Sequence, residues 1–272
     1  MTLPWLCRIS PYESLSPWLH RLASWPGSSF PLNSTALLCS NPNRHKGDTV
    51  LSETYQGGEV LNMKLPAFVK RYGQPFSEML GIDLKSCRKE EVAKWFLASI
   101  LYSKPIRESS ATNTYKVFEA AGVLSPLEIT ETGWEGLVSL LDEGGYTRYD
   151  FSTATKLLEV FQTLLSEYGG DLNRLHNKAS DSEDLERRLR NLGKGIGPAT
   201  VSTFLREMKG KWSKADPEPS PLVKMAMNEL GIKDIELLAK KKHLDTTRLE
   251  TAMLRLGKDF IRRGRTIVVQ KD

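Results

Sequence analysis

Apolar residues recur at helical spacing along most of the chain from Leu65 onward. The clearest case is the stretch 150–168, where apolar positions alternate by three and four residues: Phe151, Ala154, Leu158, Phe161, Leu165 and Tyr168. A one-sided apolar stripe at this spacing is typical of an amphipathic helix. The pair Gly169-Gly170 favours a helix end at that point. The pattern therefore predicts a helix over 150–168.

The same spacing predicts further helices and few strands after Leu65. The candidate helices cover 66–80, 88–103, 109–121, 133–142 and 221–230. Ser220 followed by Pro221 is a typical helix start, and Thr247 with Glu250 matches a capping box for one more helix. The predicted fold class is mostly α.

Two further amphipathic helices flank a glycine-rich turn. Their apolar stripes comprise Leu185, Leu189, Leu192, Val201, Phe204, Leu205 and Met208. Ser180 with Glu183 matches a capping box for the first helix, and Gly210 indicates the end of the second. Between them, 193–197 supplies glycines for a sharp reversal, and Pro198 suits a first helical position. Bare backbone N–H groups at such a turn can bind a phosphate, and an ordinary turn between helices is the alternative.

Residues 1–48 differ in composition from the rest of the chain. They are rich in Ser, Pro, Leu and Trp, and Glu13 and Asp48 are their only acids. This composition fits a flexible arm, a small irregular subdomain or an organelle transit segment. Short β-like pieces follow at 49–51 and 59–61, which predict a small β element near the N-terminus.

The net charge is only +5, but basic residues are concentrated toward the C-terminal end. Residues 191–272 carry 17 Lys and Arg against 10 Asp and Glu. A basic surface around the glycine-rich turn would suit phosphate contacts, and a solvated basic face is the alternative. The three scattered cysteines favour a reducing compartment, and the four histidines show no metal-ligand spacing. No stretch approaches the roughly 20 apolar residues of a membrane span.

The run 192–201, with Asp216 downstream, resembles the signature of the helix-hairpin-helix (HhH-GPD) DNA glycosylase superfamily, which includes endonuclease III and 3-methyladenine DNA glycosylase II. The Gly-Ile-Gly-Pro-x-Thr run is most similar to the latter. Asp216 lies 19 residues after Gly197, close to the family's interval between hairpin and aspartate. Weaker similarity extends the resemblance over roughly 64–265, in the segments 98–118, 145–168 and 249–265.

The resemblance implies two mostly helical lobes with a cleft between them. Residues 110–208 would form one lobe that ends in the helix-hairpin-helix, and 63–109 with 209–272 would form a discontinuous lobe. Residues 1–62 would be an N-terminal extension. Several relatives hold an iron–sulfur cluster with four cysteines near the C-terminus, but no cysteine follows Cys87 here, so no such cluster is expected. A monovalent cation at the hairpin stays open.

The resemblance also implies an activity, which is excision of a damaged or mismatched base from double-stranded DNA in base excision repair. Such an enzyme rotates the nucleotide out of the duplex and breaks its N-glycosidic bond. Asp216 is the predicted catalytic carboxylate, because a carboxylate near the sugar stabilises an oxocarbenium-like transition state. Lys104, or its neighbours Pro105 and Ile106, would fill the gap left in the base stack. The predicted hairpin contacts to DNA are Gly193, Lys194, Gly195, Ile196, Gly197, Ala199 and Thr200.

Ala199 stands where bifunctional relatives carry a lysine nucleophile. A monofunctional route is therefore expected, in which water attacks and an abasic site is the product. Two alternatives stay open. One is strand cleavage as an AP lyase through a displaced lysine, such as Lys194, Lys104 or Lys209. The other is a non-catalytic hairpin module that only binds DNA.

Tyr146 and Trp212 are candidates for stacking on an extruded base. The expected partner is duplex DNA that contains a damaged or mismatched base, with no membrane partner and no metal. A monomer in the cytoplasm or nucleoid, or in the nucleus or mitochondrion of a eukaryotic cell, would suit this role.

Overall fold

The computed structural model describes residues 61–264 and 267–270. Most of these residues are helical, which confirms the predicted mostly-α class. The helices in these ranges are α1 (Leu65–Tyr72), α2 (Phe76–Met79), α3 (Lys89–Tyr102), α4 (Glu108–Ala120), α5 (Pro126–Glu143), α6 (Asp150–Tyr168), α7 (Leu172–Lys178), α8 (Ser182–Arg190), α9 (Pro198–Met208), α10 (Pro221–Glu229), α11 (Ile235–Lys241) and α12 (Thr246–Arg255). Shorter helical turns lie at Leu84–Ser86, Leu256–Phe260 and Ile261–Arg263. Strands β1 (Leu61–Lys64) and β2 (Ile267–Gln270) pair in parallel, with Leu61 opposite Ile267.

The predicted N-terminal extension lies outside the described residues except for its last two positions. β1 begins there, and it pairs with the C-terminal strand β2. The β-like piece at 49–51 lies outside the described residues. Among the helices of 61–264, none combines the length and the apolar character that crossing a membrane requires.

The larger hydrophobic core is continuous in sequence, between residues 76 and 215, and we call it the first core. Helix α3 is at its centre, since 10 of its 14 residues are buried. Phe96 of α3 packs edge-on against Phe161 of α6 and Phe204 of α9, with ring centroids 6.0 and 5.1 Å away. The Trp95 indole N–H donates to the Phe204 carbonyl oxygen at 3.0 Å. A helix that is apolar on all sides is stable inside such a core.

The second core combines the two ends of the described chain. It contains α1 from the beginning and α10, α11 and α12 from the end. Its buried side chains include Phe68 of α1, Val223 of α10 and Met253 of α12. The β1–β2 pair adds Val269, which is also buried. The described residues thus contain one continuous core and one discontinuous core.

The boundary between the two cores differs from the prediction. Of the segment 63–109, only its first part, with α1, packs in the second core, whereas α2 and α3 belong to the first. Trp212 and Ala215 also belong to the first core, although the prediction placed 209–272 elsewhere. The reason is the composition of α3. Beyond Lys94 this helix has no polar face, so it is surrounded by α4, α7 and α9.

A largely buried arginine, Arg255, makes several contacts between the two cores. The Arg255 guanidinium donates to the carbonyl oxygens of Tyr72 and Gln74 at 2.6 and 2.8 Å. It also contacts both oxygens of the Glu108 carboxylate, at 2.8 and 3.2 Å. Glu108 begins α4 of the first core, and Tyr72 ends α1 of the second. The linked segments lie 147 and 183 residues from Arg255 in sequence.

Two predicted helices differ from the observed ones at glycine and proline. The predicted helix 66–80 is interrupted between α1 and α2, because Pro75 has no N–H with which to continue it. The predicted helix 133–142 begins earlier, at Pro126 in α5. Gly133 bends the chain inside α5, where its φ is 69°. The apolar spacing is interrupted at this bend, so the sequence predicted only the second half of the helix.

Helix α6 has the predicted bounds, and Ser220 caps α10 as predicted. The predicted capping boxes at Ser180 and Thr247 are wrong, because Asp181 caps α8 and Asp245 caps α12. In both cases a carboxylate stands close to the predicted cap. Its negative charge suits the N–H groups at a helix start better than a hydroxyl does.

The buried face of α6 is rotated relative to the predicted stripe. It includes Leu157 and Val160, whereas Phe151 is exposed and packs against Trp134 with ring centroids 5.4 Å apart. This helix carries two adjacent apolar stripes, so the spacing of apolar residues alone does not show which stripe is buried. Lys156 also lies on the buried face.

Candidate nucleic-acid interface

The glycine-rich turn joins α8 to α9 and is packed on α6. The Lys194 N–H donates to Glu159 Oε1 at 2.9 Å, which holds the tip of the turn. Gly193 lies so close to α6 that a Cβ there would be 2.7 Å from the Val160 side chain. Gly195 has φ of 86°, in the left-handed region that favours glycine. The predicted helix, turn and helix are therefore present.

The backbone N–H groups of this turn that have no acceptor within the described residues include those of Gly195, Gly197 and Ala199. Gly195 and Ala199 are exposed, and Gly197 is partly exposed. Free donors at the start of a helix favour an anion, because the helix dipole adds a partial positive charge there. These three groups can bind a phosphate.

Two of the predicted DNA contacts are buried instead. Ile196 packs in the first core. The Thr200 hydroxyl donates to Ser103 Oγ at 2.9 Å, and the Thr200 N–H donates to the Gly197 carbonyl oxygen at 3.0 Å. These side chains hold the hairpin in place and do not face solvent, whereas Lys194 is exposed.

A cavity of about 600 Å³ opens beside the hairpin, and we call it the central cavity. Segments of both cores line it: Phe76 of α2 and Ala199 of α9 belong to helices of the first core, and Leu222 belongs to α10 of the second. The basic residues along it are Lys104, Arg190, Arg206, Lys258 and Arg262. Only two acids, Glu186 and Glu218, accompany them. The excess of positive charge favours ligands that are anionic or rich in acceptor atoms.

Two stacked aromatic rings form part of the cavity wall. Phe76 and Tyr102 lie 4.4 Å apart between ring centroids, with an angle of 5° between their planes. The Tyr102 hydroxyl is 2.7 Å from Thr112 Oγ1. Burial raises the pKa of Tyr102 to about 12, so this wall carries no negative charge near neutral pH.

Lys104, the predicted wedge, lies at the edge of the central cavity. Its ammonium is 5.4 Å from the centroid of the Tyr149 ring, at the distance of a cation–π contact. Pro105 is exposed beside it and also lines the cavity. The structure thus brings Lys104 and Ala199 to one cavity, and the wedge role stays a prediction.

Asp216 does not line the central cavity. Its side chain is 79% exposed, and its carboxylate is 4.0 Å from the Lys209 ammonium. It borders a neighbouring hollow of about 800 Å³, which we call the Asp216 hollow. Pro217 and Glu218 line both the hollow and the central cavity. The predicted catalytic acid is thus separated from the cavity by the residues that follow it.

Lys209 is surrounded by acids in the Asp216 hollow. Its ammonium is 2.8 Å from Glu250 and 3.5 Å from Glu236. Burial by itself lowers the pKa of Lys209, but Glu250, Glu236 and Asp216 raise it above its usual value. Lys209 therefore keeps its proton and does not supply the free amine that a displaced nucleophile needs.

The proposed stacking residues lie in the first core and line neither hollow nor cavity. Tyr146 is buried, and its hydroxyl donates to the Leu101 carbonyl oxygen at 2.7 Å. Trp212 is buried too, where its indole N–H donates to Asn173 Oδ1 at 3.0 Å and its ring stacks on His176. Both polar atoms are satisfied internally, so the prediction of a base pocket at these residues is wrong.

Lys156 places a buried ammonium under the hairpin. A Cβ on Gly195 would lie 3.2 Å from Lys156 Nζ. The residue is 7% exposed, and within the described residues it forms no ion pair with a carboxylate within 4.0 Å. Burial, with a contribution from Lys104, lowers the pKa of Lys156 to about 8. This positive charge opposes the binding of a monovalent cation at Gly195.

We expect Lys156→Met to increase the free energy of unfolding at pH 7 by about 1–3 kcal/mol, because it removes an uncompensated buried charge. Between pH 8 and 10.5 the unfolded chain holds a proton at Lys156 that the folded chain has lost. Wild-type stability should therefore rise with pH in this window, and the advantage of the variant should shrink. Urea unfolding of both proteins at about pH 7 and about pH 9.5 measures this. An advantage that stays constant would contradict the pKa of Lys156.

The sequence interpretation missed every basic residue of the central cavity except Lys104, and it missed the lysine that lies under the hairpin. Arg206 lies on the buried side of α9, and Lys156 lies on that of α6. A charged residue within an apolar stripe was the available signal for both. Arg190, Lys258 and Arg262 had no such signal, since they come together only through the fold.

Across the part of the chain that the structure describes, no three His, Cys, Asp or Glu side chains are grouped as a metal site requires. Comparison of the chain with protein-family models, with curated proteins and with solved structures found no match. Functional assignment therefore depends on the hairpin, the central cavity and the Asp216 hollow.

Proposed function

We propose that this protein is a DNA glycosylase of base excision repair, which hydrolyses the N-glycosidic bond of a damaged or mismatched base in duplex DNA. The observation that carries the proposal is the position of three free backbone donors, at Gly195, Gly197 and Ala199, beside a basic cavity. At about 600 Å³, the cavity has room for a nucleobase. Base flipping requires contacts that hold the DNA backbone and a pocket that receives the extruded base.

The proposed binding step uses both features at once. The free N–H groups hold a phosphate of the strand, and the nucleotide next to it rotates into the central cavity. Lys104 or Pro105, at the cavity edge, fills the vacated position in the stack. The proposed fold is the two-lobed helix-hairpin-helix arrangement, with the central cavity as the cleft. The continuous and discontinuous cores support this arrangement.

The proposed chemical step is hydrolysis without a covalent intermediate. As the bond between the sugar carbon and the base nitrogen breaks, the sugar becomes oxocarbenium-like, and the Asp216 carboxylate stabilises its charge. Water then adds to the sugar carbon and loses a proton to the carboxylate, and the released base takes up a proton. Ala199 offers no amine, so the product is an abasic site rather than a cleaved strand.

A second function, a non-catalytic module that binds DNA, is favoured by one observation. Asp216 is 79% exposed and borders the Asp216 hollow instead of the central cavity. As a binding module, the protein would still bind a DNA phosphate through the hairpin N–H groups, but no carboxylate would contact the sugar. A lyase that uses a displaced lysine is the third reading, and it would have to use Lys104 or Lys194, since Lys209 is paired with Glu250.

The test is incubation of the protein with duplexes that each carry one lesion or mismatch, with an undamaged duplex of the same sequence as the control. We expect strand breaks at the lesion only after alkali treatment, since a monofunctional enzyme leaves an intact abasic strand. Breaks without alkali, together with borohydride trapping of a covalent complex, would instead support the lyase. Binding in gel-shift assays with no break in any duplex would support the binding module and contradict the enzyme.

A further inference from the structure

Arg206 is a buried arginine in the wall of the central cavity. Its side chain is 3% exposed and makes no hydrogen bond within the described residues, and its Nε and Nη2 atoms are closed off from solvent. The nearest acid is Glu207, at 3.5 Å from Nη2. Both oxygens of Glu207 already accept N–H groups, from Phe76 and Ser77, at 2.9 Å each.

Buried polar groups are nearly always hydrogen-bonded, and an unsatisfied guanidinium costs folding free energy. Nη1 is the Arg206 nitrogen that is not closed off, and it has no partner among the described residues, so a ligand in the cavity can supply its missing acceptor. The guanidinium carbon of Arg206 is 5.4 Å from the centroid of the Phe76 ring, which itself stacks on Tyr102. The cavity therefore offers an aromatic wall and unsatisfied donors side by side.

The charges of the cavity decide which bases suit it. Lys104, Arg190, Lys258 and Arg262 join Arg206 there, against Glu186 and Glu218. Purines alkylated at N3 or N7 carry a positive charge while they are attached to the sugar, so this lining repels them. A neutral base with a carbonyl oxygen gives Arg206 an acceptor, as guanine does for arginine in the major groove.

We propose that the central cavity receives an extruded, uncharged base that bears a carbonyl group, and that Arg206 donates to that oxygen. This inference rests on the proposed function and narrows its substrate class. Hypoxanthine, uracil and oxidised guanine belong to the class, whereas 3-methyladenine and 7-methylguanine do not. It departs from what the sequence resemblance to 3-methyladenine DNA glycosylase II suggests.

The experiment measures single-turnover release of hypoxanthine, uracil, 8-oxoguanine, 3-methyladenine and 7-methylguanine from otherwise identical duplexes. We expect release of at least one carbonyl-bearing neutral base and release of the two cationic bases at least tenfold more slowly. Arg206→Gln should slow release of the neutral base by roughly 10- to 100-fold, in line with the discrimination that one arginine–base contact gives. Its affinity for a duplex with a tetrahydrofuran abasic analogue should change less than twofold, because that duplex has no base to contact.

Arg174→Gln is the matched control, since Arg174 is exposed on α7 and lies outside the cavity. It should behave as the wild type. Arg206→Lys keeps the charge but loses the planar donors, and thermal melting of both Arg206 variants reports whether they fold. If Arg206→Gln does not fold, the lysine variant carries the test, with the same loss of neutral-base release expected.

Two outcomes would overturn the inference while the proposed function stands: faster release of the cationic bases by the wild type, or unchanged rates in both Arg206 variants. If the wild type releases no base at all, the proposed function fails, and binding then tests the inference. We would compare affinities for duplexes with hypoxanthine or adenine opposite thymine. A preference for hypoxanthine that Arg206→Gln abolishes would support the carbonyl contact, and equal affinities would refute it.

Discussion

Replacement of Asp216 by Asn is expected to lower the single-turnover rate of base release by about 10²- to 10³-fold, the loss typical for removal of one group that stabilises transition-state charge. The amide has nearly the same shape as the carboxylate but lacks its negative charge. Affinity for a duplex with an abasic analogue should stay close to that of the wild type, since Asp216 lies away from the free N–H groups of the hairpin. Quenched-flow measurement of base release, with gel-shift affinities in parallel, separates the two effects.

Glu218→Gln is the matched control for Asp216→Asn. Glu218 lies two residues away and is similarly exposed, at 86% of its side chain. It borders both the Asp216 hollow and the central cavity, so it is the competing carboxylate. We expect this variant to lose less than fivefold in rate. If Glu218→Gln loses activity and Asp216→Asn does not, the catalytic role belongs to Glu218.

The second large effect is expected on stability, from Arg255→Met. This substitution removes both contacts to the Glu108 carboxylate and leaves the carbonyl oxygens of Tyr72 and Gln74 without their donor. Breaking a largely buried ion pair typically costs about 3–5 kcal/mol. We expect a loss of that size in the free energy of unfolding, measured by urea unfolding that is followed by both far-UV circular dichroism and tryptophan fluorescence.

Arg248→Met on the same helix controls for the loss of an arginine from α12. Arg248 pairs with Glu78 at the surface, and about 41% of its side chain is exposed. Exposed ion pairs contribute about 0–1 kcal/mol, so this variant should be nearly as stable as the wild type. Equal losses in the two variants would mean that Arg255 has no special role in joining the cores.

The helices could be predicted from the sequence because their signals are local. Spacing and the two glycines after Tyr168 were sufficient for the bounds of α6. Predictions failed where neighbouring signals competed, as with Asp181 beside Ser180. They also failed for the core boundary, because the position of α3 depends on which distant helices cover its several apolar faces.

The candidate site could be predicted only in part, for the same reason. Glycine spacing indicated the hairpin, and its free N–H groups lie where the pattern predicted. The residues of the cavity wall were not predictable, because Phe76 and Tyr102 lie 26 positions apart in sequence and stack only in the folded protein. Tyr146 had the right chemistry for a base pocket, but its burial depends on contacts with the end of α3 that no local pattern reports.

The discontinuous second core has a consequence for the order in which the molecule folds. Helix α1 packs against α12, and β1 pairs with β2, across nearly the whole length of the described chain. Contacts of such high sequence separation form slowly, because a long loop must close first. During synthesis on the ribosome, the helices between 76 and 215 can collapse on their own, while α1 must wait for its partners to emerge. Until then Phe68 and the apolar face around it would be open to chaperones.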